Sequence, residues 1–375
     1  MKQVSFIHIA DLHLDTPFSS LGDEDKARIR RNEVEGVLTE VIDKILEDNI
    51  DLLFISGDLF EDKYVKGTTI LKLKNMFSEI YNTEIVIIPG NHDPISDTSY
   101  YKTTVWGSNV HILEGTEQAL YLDKLNTCIH SIGVTNNIKS DYLRISTTQK
   151  FENIFNVLLL HGTVDMPFEE ENYNSITSKE LFNLNMDYIA LGHMHNFSQI
   201  KNGSTVMVNP GSPEPLGFDE EGMHGYIIGS ININDDGKKY TQASFFTRVH
   251  RQYHCFDEDI SGCSSDAEVV EKLRPILAEN DLYKLNLTGF ISRDFVPDLG
   301  AIHAALKDKC FFVKIKNESS IRFEYESYLE DPGIKGEFVR RLIDRLETEE
   351  TKEVRDTLFQ ALQYGLQALE NERVD

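Results

Sequence analysis

Five short polar clusters carry the residue types that bind metal ions. In chain order they are Asp-Leu-His at 11–13, Gly-Asp at 57–58, Gly-Asn-His-Asp at 90–93, His-Gly-Thr at 161–163 and Gly-His-Met-His at 192–195. Each cluster follows an apolar run that is typical of a buried strand. Imidazole nitrogen is the commonest metal ligand in proteins, and carboxylate oxygens complete such sites. The clusters therefore predict a metal centre of mixed nitrogen and oxygen ligands, without thiolate.

The number of candidate ligands favours two ions over one. The seven candidates exceed what one tetrahedral ion accepts, and they are Asp11, His13, Asp58, Asn91, His161, His193 and His195. Two divalent ions that share one carboxylate would use all of them. The ligand types suit manganese first, with iron, zinc or magnesium as alternatives. Glycine precedes Asp58, Asn91 and His193, where it lets the backbone turn sharply and approach the ions.

Each cluster alone also has an ordinary structural explanation. An Asp-x-His sequence at a strand end can cap a helix, and Gly-Asn-His-Asp can form a turn. His193 and His195 could be two surface residues in a turn. They could equally hold a single ion between them, because alternate residues of an extended chain point to the same side. The order of all five clusters, each behind a strand, favours a metal centre.

The segments between the clusters predict an α/β layered core. Apolar runs at 2–10, 50–56 and 84–88 alternate with segments of helical periodicity at 24–48 and 67–80. Further strand-like runs lead into His161 and His193. In sheets of this class, sites collect beyond the carboxyl ends of the strands, which is where the clusters fall.

The pattern of predicted strands and helices changes near residue 250. Residues 252–317 are predicted to form a small α+β unit of three strands and two helices. From residue 335 the pattern is helical and charged. One face of the last helix carries a leucine stripe made of Val354, Leu358, Leu362, Leu366 and Leu369. Such a stripe packs on its own protein or binds a partner helix, and both explanations stay open.

Composition limits the cellular locations and the binding partners that we expect. The net charge is −25, and phosphate binding rests on Lys and Arg, so charge alone disfavours nucleic acid. Bound divalent cations would reverse the field locally, which leaves DNA open as a partner. The amino terminus does not resemble a signal peptide, and no stretch approaches the roughly 18 apolar residues of a membrane span. The four cysteines are scattered along the chain, which is typical of reduced thiols. We expect a cytoplasmic protein without membrane contact.

The clusters resemble those of the calcineurin-like metallophosphoesterase superfamily, over roughly residues 1–250. Two further stretches, FIHIADLHLDTPF at 6–18 and NPGSPEPLGFDE at 209–220, resemble the SbcD-like DNA repair exonucleases, and their YhaO-type branch in particular. These are bacterial relatives of the archaeal and eukaryotic double-strand-break nuclease. The resemblance implies a four-layer sandwich at 1–250, with two mixed β-sheets flanked by helices. It also implies a small α+β capping domain at 251–320 and C-terminal helices at 321–375 that dock an ATPase partner.

The resemblance also implies a role for each site residue. Asp11, His13 and His195 would hold the first ion. Asn91, His161 and His193 would hold the second, and Asp58 would bridge both. His92 would contact the scissile phosphate and protonate the leaving oxygen, with Asp93 as the residue that orients it. Archaeal and eukaryotic relatives carry a substrate-contacting histidine three residues after the bridging aspartate. Here that position is Glu61, an anion expected to repel phosphate and to disfavour duplex ends.

The function implied is two-metal hydrolysis of DNA phosphodiester bonds in DNA repair. The chain would be an exonuclease, with endonuclease activity as an extension, in a homodimer bound to an SMC-like coiled-coil ATPase. Two alternatives stay open. The acidity and Glu61 would also suit a phosphomonoesterase or a small-nucleotide phosphodiesterase. The leucine stripe would suit a protein that is mainly a scaffold tethering DNA ends to the ATPase.

Overall fold

A computed structural model describes residues 2–114, 119–132, 145, 153–165 and 176–369. The chain divides into two compact units, Met1–Tyr253 and His254–Asp375. The first unit contains all five polar clusters. None of the helices in the described ranges is long and apolar enough to cross a membrane.

Two mixed sheets, each of six strands in the described residues, build the first unit. The first consists of β1 (Lys2–Ile9), β2 (Leu52–Ser56), β3 (Glu84–Ile88), β4 (Val110–Ile112), β11 (Gly225–Ile233) and β12 (Lys239–Thr247), in the order β12-β11-β1-β2-β3-β4. The second consists of β5 (Leu120–Leu122), β6 (Thr127–Ile132), β7 (Phe155–His161), β8 (Tyr188–Gly192), β9 (Ser198–Asn202) and β10 (Thr205–Asn209), in the order β5-β6-β7-β8-β10-β9. The central strands of both sheets are parallel, and the outer strands β11, β12, β5 and β9 are antiparallel.

The sheets face each other across one apolar core. Alternate residues of β1 and β2, such as Phe6 and Phe54, meet alternate residues of the second sheet, such as Val157 and Tyr188. The other faces of these strands are apolar too, as expected for parallel strands buried on both sides. Leu158 of β7 packs there against Leu181 of helix α4 (Ser178–Asn183).

Helices flank the sheets, which confirms the predicted fold class. They are α1 (Glu24–Asp48), α2 (Gly67–Glu79), the short α3 (Tyr100–Thr103) and α4. Helix α1 buries the face that its periodicity predicts, through Val34, Val37, Leu38, Val41, Ile42 and Ile45. It begins after Asp23, whose side chain accepts a hydrogen bond from the amide of Lys26 and so satisfies an otherwise unpaired donor.

The second unit has a sheet of its own. It contains all but the first residue of β13 (Tyr253–Asp259), and then α5 (Asp266–Leu273), β14 (Leu282–Thr288), β15 (Phe290–Ile291), α6 (Leu299–Leu306), β16 (Phe312–Asn317) and β17 (Ser320–Ile321). Its three-stranded sheet has the order β13-β14-β16 among the described residues. Two longer helices follow, α7 (Ile334–Thr348) and α8 (Lys352–Leu369). The predicted α+β unit and helical segment are therefore present, and the boundary between 251–320 and 321–375 stays a prediction.

The leucine stripe lies partly inside this unit. Leu362 and Leu366 of α8 are fully buried, in a cluster with Phe323 and with Val339 of α7. Val354, at the start of the stripe, is exposed. The middle of the stripe thus packs on its own protein, and its beginning faces solvent.

Candidate metal centre

The polar clusters lie where strands of both sheets end. Asp11 and His13 follow β1, Asp58 follows β2, and residues 91–93 follow β3. In the second sheet His161 is the last residue of β7, and His193 and His195 follow β8. Because these strands are parallel, their carboxyl ends meet at one edge of the sandwich.

Four of the seven candidate ligands have left-handed backbone conformations. The φ angles are 53° at Asp11, 47° at His13, 50° at Asp58 and 95° at His193. Such conformations cost on the order of 1–3 kcal/mol each for a residue with a Cβ, and they persist only where the surroundings impose them. Here the amides of Asp11 and His13 donate to the carbonyl oxygens of Gly57 and Asp58, at 3.1 and 2.9 Å.

The side chains converge in two ligand groups with Asp58 next to both. The first ligand group is Asp11, His13 and His195, and the second is Asn91, His161 and His193. Ligand atoms of the first group lie within 4.8 Å of one another, as do those of His161, His193 and Asp58. Asn91 joins the second group, because its Oδ1 lies 3.1 Å from His161 Nε2 and 3.0 Å from His193 Nδ1.

This geometry fits divalent ions. Asp58 Oδ2 lies 3.3 Å from His161 Nε2 and 3.6 Å from His13 Nε2, between the two groups. Among the described residues, His13 Nε2 is a buried nitrogen with no hydrogen-bond partner. A buried polar atom without a partner is costly, and a cation would satisfy this one. His13, Asp58 and His92 also lie close enough to form a third group, but His92 is 44% exposed.

Glycine is required at two of the turns that precede ligands. A Cβ at Gly57, where φ is +92°, would lie 2.2 Å from His161 Nδ1. A Cβ at Gly90 would lie 2.0 Å from Asp58 Oδ1. A side chain at Gly57 would therefore displace His161 of the second sheet, and one at Gly90 would displace Asp58 of the first sheet.

Asp93 was predicted to orient His92, but its carboxylate is hydrogen-bonded to other groups. Asp93 is fully buried, and its carboxylate accepts hydrogen bonds from the amides of Asp58, Leu59 and Gly90 and from the hydroxyl of Tyr101. In the described part of the chain it makes no hydrogen bond to the His92 ring. Asp93 instead holds the turn after β2, which carries Asp58, against the turn after β3. The sequence could not show this, since the four donors come from three separate segments.

Glu61, and not Asp93, is hydrogen-bonded to the ring of His92. Its carboxylate lies 2.8 Å from His13 Nδ1 and 3.1 Å from His92 Nδ1. Burial opposes its ionisation, but these two hydrogen bonds outweigh burial and lower the pKa of Glu61 to about 2. The hydrogen bond between Glu61 and His92 also raises the pKa of His92. The negative charge of Glu61 is thus shared with two imidazoles, and its contact with substrate stays a prediction.

Glu220 is a site residue that sequence reasoning did not single out. Its Oε1 lies 2.6 Å from His195 Nδ1. Burial lowers the affinity of His195 for a proton, but Glu220 more than offsets burial and raises the pKa of His195 to about 9. The available signal was the NPGSPEPLGFDE stretch at 209–220, which ends on this residue.

Burial and charge also shift the other ionisable ligands. Burial raises the pKa of Asp11 to about 6, against the opposing charge of His161. Burial acts to lower the pKa of His161, but the hydrogen bond and charge of Asp58 raise it to about 9. A divalent ion would displace the protons that these groups hold, because metal ligands must be deprotonated.

Two nearby polar residues have structural roles. His8, inside β1, is fully buried and lies 2.9 Å from the Tyr188 hydroxyl and 3.0 Å from the Ser56 hydroxyl, so it is a core histidine. Asp15 accepts hydrogen bonds from the amide of Lys66 and the hydroxyl of Thr69, at 3.0 and 2.6 Å. It therefore caps the start of α2.

A family model named calcineurin-like phosphoesterase matches residues 4–197, just over half of the chain. The chain belongs to this family. It is therefore a metallophosphoesterase, a class that hydrolyses phosphoester bonds with divalent metal ions. The match ends before the 209–220 stretch.

Curated relatives fall into two groups by name. The chain is 25% identical to the metallophosphoesterase YhaO of Bacillus subtilis (strain 168), over 65% of this chain and 61% of that protein. It is 25% identical to the DNA double-strand break repair protein Mre11 of Methanococcus maripaludis, over 92% of this chain and 95% of that protein. The Mre11 protein of Methanopyrus kandleri is 27% identical, over 58% of this chain and 51% of that protein. The chain thus spans only about half to three fifths of two of these relatives.

Solved structures resemble the chain more distantly. The structure of TT1561 from Thermus thermophilus superposes with a TM-score of 0.36 at 12% identity, over 64% of this chain and 98% of that one. A likeness of this size adds nothing to the family assignment.

Proposed function

We propose that this protein hydrolyses phosphodiester bonds of DNA with two divalent ions, manganese first, as an exonuclease with endonuclease activity in DNA repair. The observation that carries the proposal is the pair of ligand groups on either side of Asp58. The Mre11 relatives supply the substrate class, since their name places them in double-strand break repair.

Each ion would have its own ligands. Asp11, His13 and His195 would hold one, Asn91, His161 and His193 the other, with Asp58 shared. When bound, two such ions supply an activated water and neutralise the charge that develops on the phosphoryl oxygens.

His92 would act on the substrate rather than on the ions. Its side chain is the exposed member of the centre, and its ring centroid lies 4.7 Å from that of His13. Glu61 accepts a hydrogen bond from His92 Nδ1. The other ring nitrogen, Nε2, would then face the incoming phosphate and give its proton to the leaving oxygen. The raised pKa of His92 favours the protonated form that this role needs.

Substrate preference tests the proposal. Purified full-length protein with manganese should hydrolyse bis-nitrophenyl phosphate faster than nitrophenyl phosphate, and it should degrade labelled DNA. Single-stranded and opened ends should be cleaved faster than blunt duplex ends, if Glu61 disfavours duplex approach. Asp62→Asn, which alters an exposed neighbour of Glu61, is the matched control and should change neither preference. A preference for the monoester without DNA cleavage would instead establish the phosphomonoesterase alternative.

We also propose a homodimer and an SMC-like coiled-coil ATPase as partners. The exposed start of the leucine stripe supports a docking role, since Val354 is 41% exposed while Leu362 is fully buried. Val354→Asp should abolish copurification with the coexpressed ATPase and leave manganese-dependent hydrolysis unchanged. If copurification and hydrolysis both persist in this variant, the leucine stripe packs only within its own unit. If the wild-type protein binds the ATPase but hydrolyses no phosphodiester, the scaffold alternative is favoured.

A further inference from the structure

Both histidines of the first ligand group have their Nδ1 atoms on a glutamate. The distances are 2.6 Å from His195 Nδ1 to Glu220 Oε1 and 2.8 Å from His13 Nδ1 to Glu61 Oε1. An ionised carboxylate only accepts, so Nδ1 of each ring must carry the proton. When either ring gives up a second proton to a metal, its Nε2 therefore supplies the lone pair that binds the ion. In the second group the Nδ1 of His161 faces a neutral acceptor, the carbonyl oxygen of Ser56, at 2.8 Å.

The Glu220 carboxylate cannot turn away from His195. It is almost fully buried, and its Oε2 accepts hydrogen bonds from the Ser212 hydroxyl at 2.6 Å and the Leu216 amide at 3.0 Å. Both donors belong to the 209–220 segment, as does Glu220 itself. The carboxylate therefore has one defined orientation toward the ring.

The same segment also holds the backbone of the loop that carries His195. The side-chain amide of Asn209 donates to the carbonyl oxygen of Asn196 at 2.9 Å and also to that of Met194. The Ser212 amide donates to the carbonyl oxygen of His195 at 3.0 Å. At Gly211, where φ is +75°, a Cβ would lie 2.5 Å from that same oxygen. Only glycine allows this approach.

A buried ion pair ties the 209–220 segment to helix α1. Glu214 is almost fully buried, and its carboxylate lies 3.1 Å from the guanidinium of Arg30 and 2.6 Å from His250 Nδ1. Arg30 also donates to the carbonyl oxygen of Pro215 at 2.9 Å. Breaking such a pair would leave an uncompensated buried charge, which is strongly destabilising. The pair therefore holds the 209–220 segment against α1.

We propose that the 209–220 segment positions His195 for metal binding, and that Glu220 and Glu61 are the two positioning residues that orient the imidazoles of the first ligand group. The inference rests on the two-ion assignment of the proposed function. It gives the NPGSPEPLGFDE stretch a role at the metal centre.

The test is metal binding by full-length protein stripped with a chelator, measured by calorimetric titration with manganese. The wild type should show two binding steps. Glu220→Gln and Glu61→Gln should each weaken one step by roughly 10–100-fold, the usual cost of losing a partner of a metal-bound histidine. That step should be the one that His195→Ala removes, and the step that His161→Ala removes should stay unchanged. Glu220→Asp, which keeps the charge, should restore part of the affinity.

Matched controls separate positioning from local charge. Asp219→Asn and Asp62→Asn remove exposed carboxylates next to Glu220 and Glu61, and both binding steps should stay within about twofold of wild type, as for surface charges away from the ligands. Melting of the metal-free proteins identifies variants that fail to fold. If Glu220→Gln does not fold, Glu61→Gln carries the test.

Unchanged affinities, or equal weakening of both steps in folded variants, would overturn the inference. A wild type that binds fewer than two ions would instead overturn the proposed function.

Discussion

The two ligand groups sit at one edge of the sandwich but are built differently. The first has the carboxylate of Asp11, and both of its imidazoles are hydrogen-bonded to glutamates. The second has the neutral amide of Asn91, and His161 is hydrogen-bonded to a backbone carbonyl. Negative charge is therefore concentrated on the first group. One edge of the fold thus carries two candidate ligand groups with different electrostatics.

His193 and His195 show how local the difference is. Burial lowers the pKa of His193 to about 4, whereas Glu220 overcomes burial and raises the pKa of His195 to about 9. The two residues are separated only by Met194. The affinity of each imidazole for a proton is therefore set by its burial and by the charges beside its ring, and sequence proximity says little about it.

Asp58→Asn tests the residue that lies beside both groups, and it should have the largest effect. Both binding steps should weaken, because Asp58 lies beside both groups, and hydrolysis should fall by roughly a thousandfold or more, since several kcal/mol of charge stabilisation are lost. Calorimetry and hydrolysis of bis-nitrophenyl phosphate measure the two effects. Full activity in this variant would rule out the shared carboxylate.

His193→Ala and His195→Ala should separate the groups. Each should lower the manganese stoichiometry from two toward one, because each removes a ligand from a different group. Metal analysis after gel filtration gives the stoichiometry, and the double variant should lose both ions. If both single variants lose the same site, then the two rings hold one shared ion.

His92→Gln should lower the rate without changing the metal content. We expect kcat to fall by roughly 10²–10⁴-fold, the usual contribution of a general acid. Two manganese ions should still bind, since His92 belongs to neither group. Loss of an ion would place His92 among the ligands, in the third group with His13 and Asp58.

Asp15→Ala should have the smallest effect and should leave both groups intact. Loss of the cap on α2 should lower the free energy of unfolding by about 0.5–2 kcal/mol, measured by urea denaturation with chelator present. Asp15→Asn keeps an acceptor and should cost less. A change in metal stoichiometry would show that Asp15 reaches the centre.

The sequence predicted much of this molecule. Apolar runs predicted the central strands, and periodicity predicted the buried face of α1. The polar residues after those runs predicted which side chains meet, because parallel strands bring their carboxyl ends to one edge. These are local signals, since each depends on neighbours within a few residues.

The partner of each ligand was decided only by the tertiary structure. Glu61 lies 48 residues from His13 along the chain, and Glu220 lies 25 residues from His195. Asp93 contacts the turn after β2 instead of its neighbour His92. Left-handed turns at Asp11, His13, Asp58 and His193 aim these side chains. Asp and His adopt such conformations more often than most residues, but the sequence does not say which of them do so here. Long-range hydrogen bonds hold the turns, so the orientation of every imidazole had to come from the folded chain.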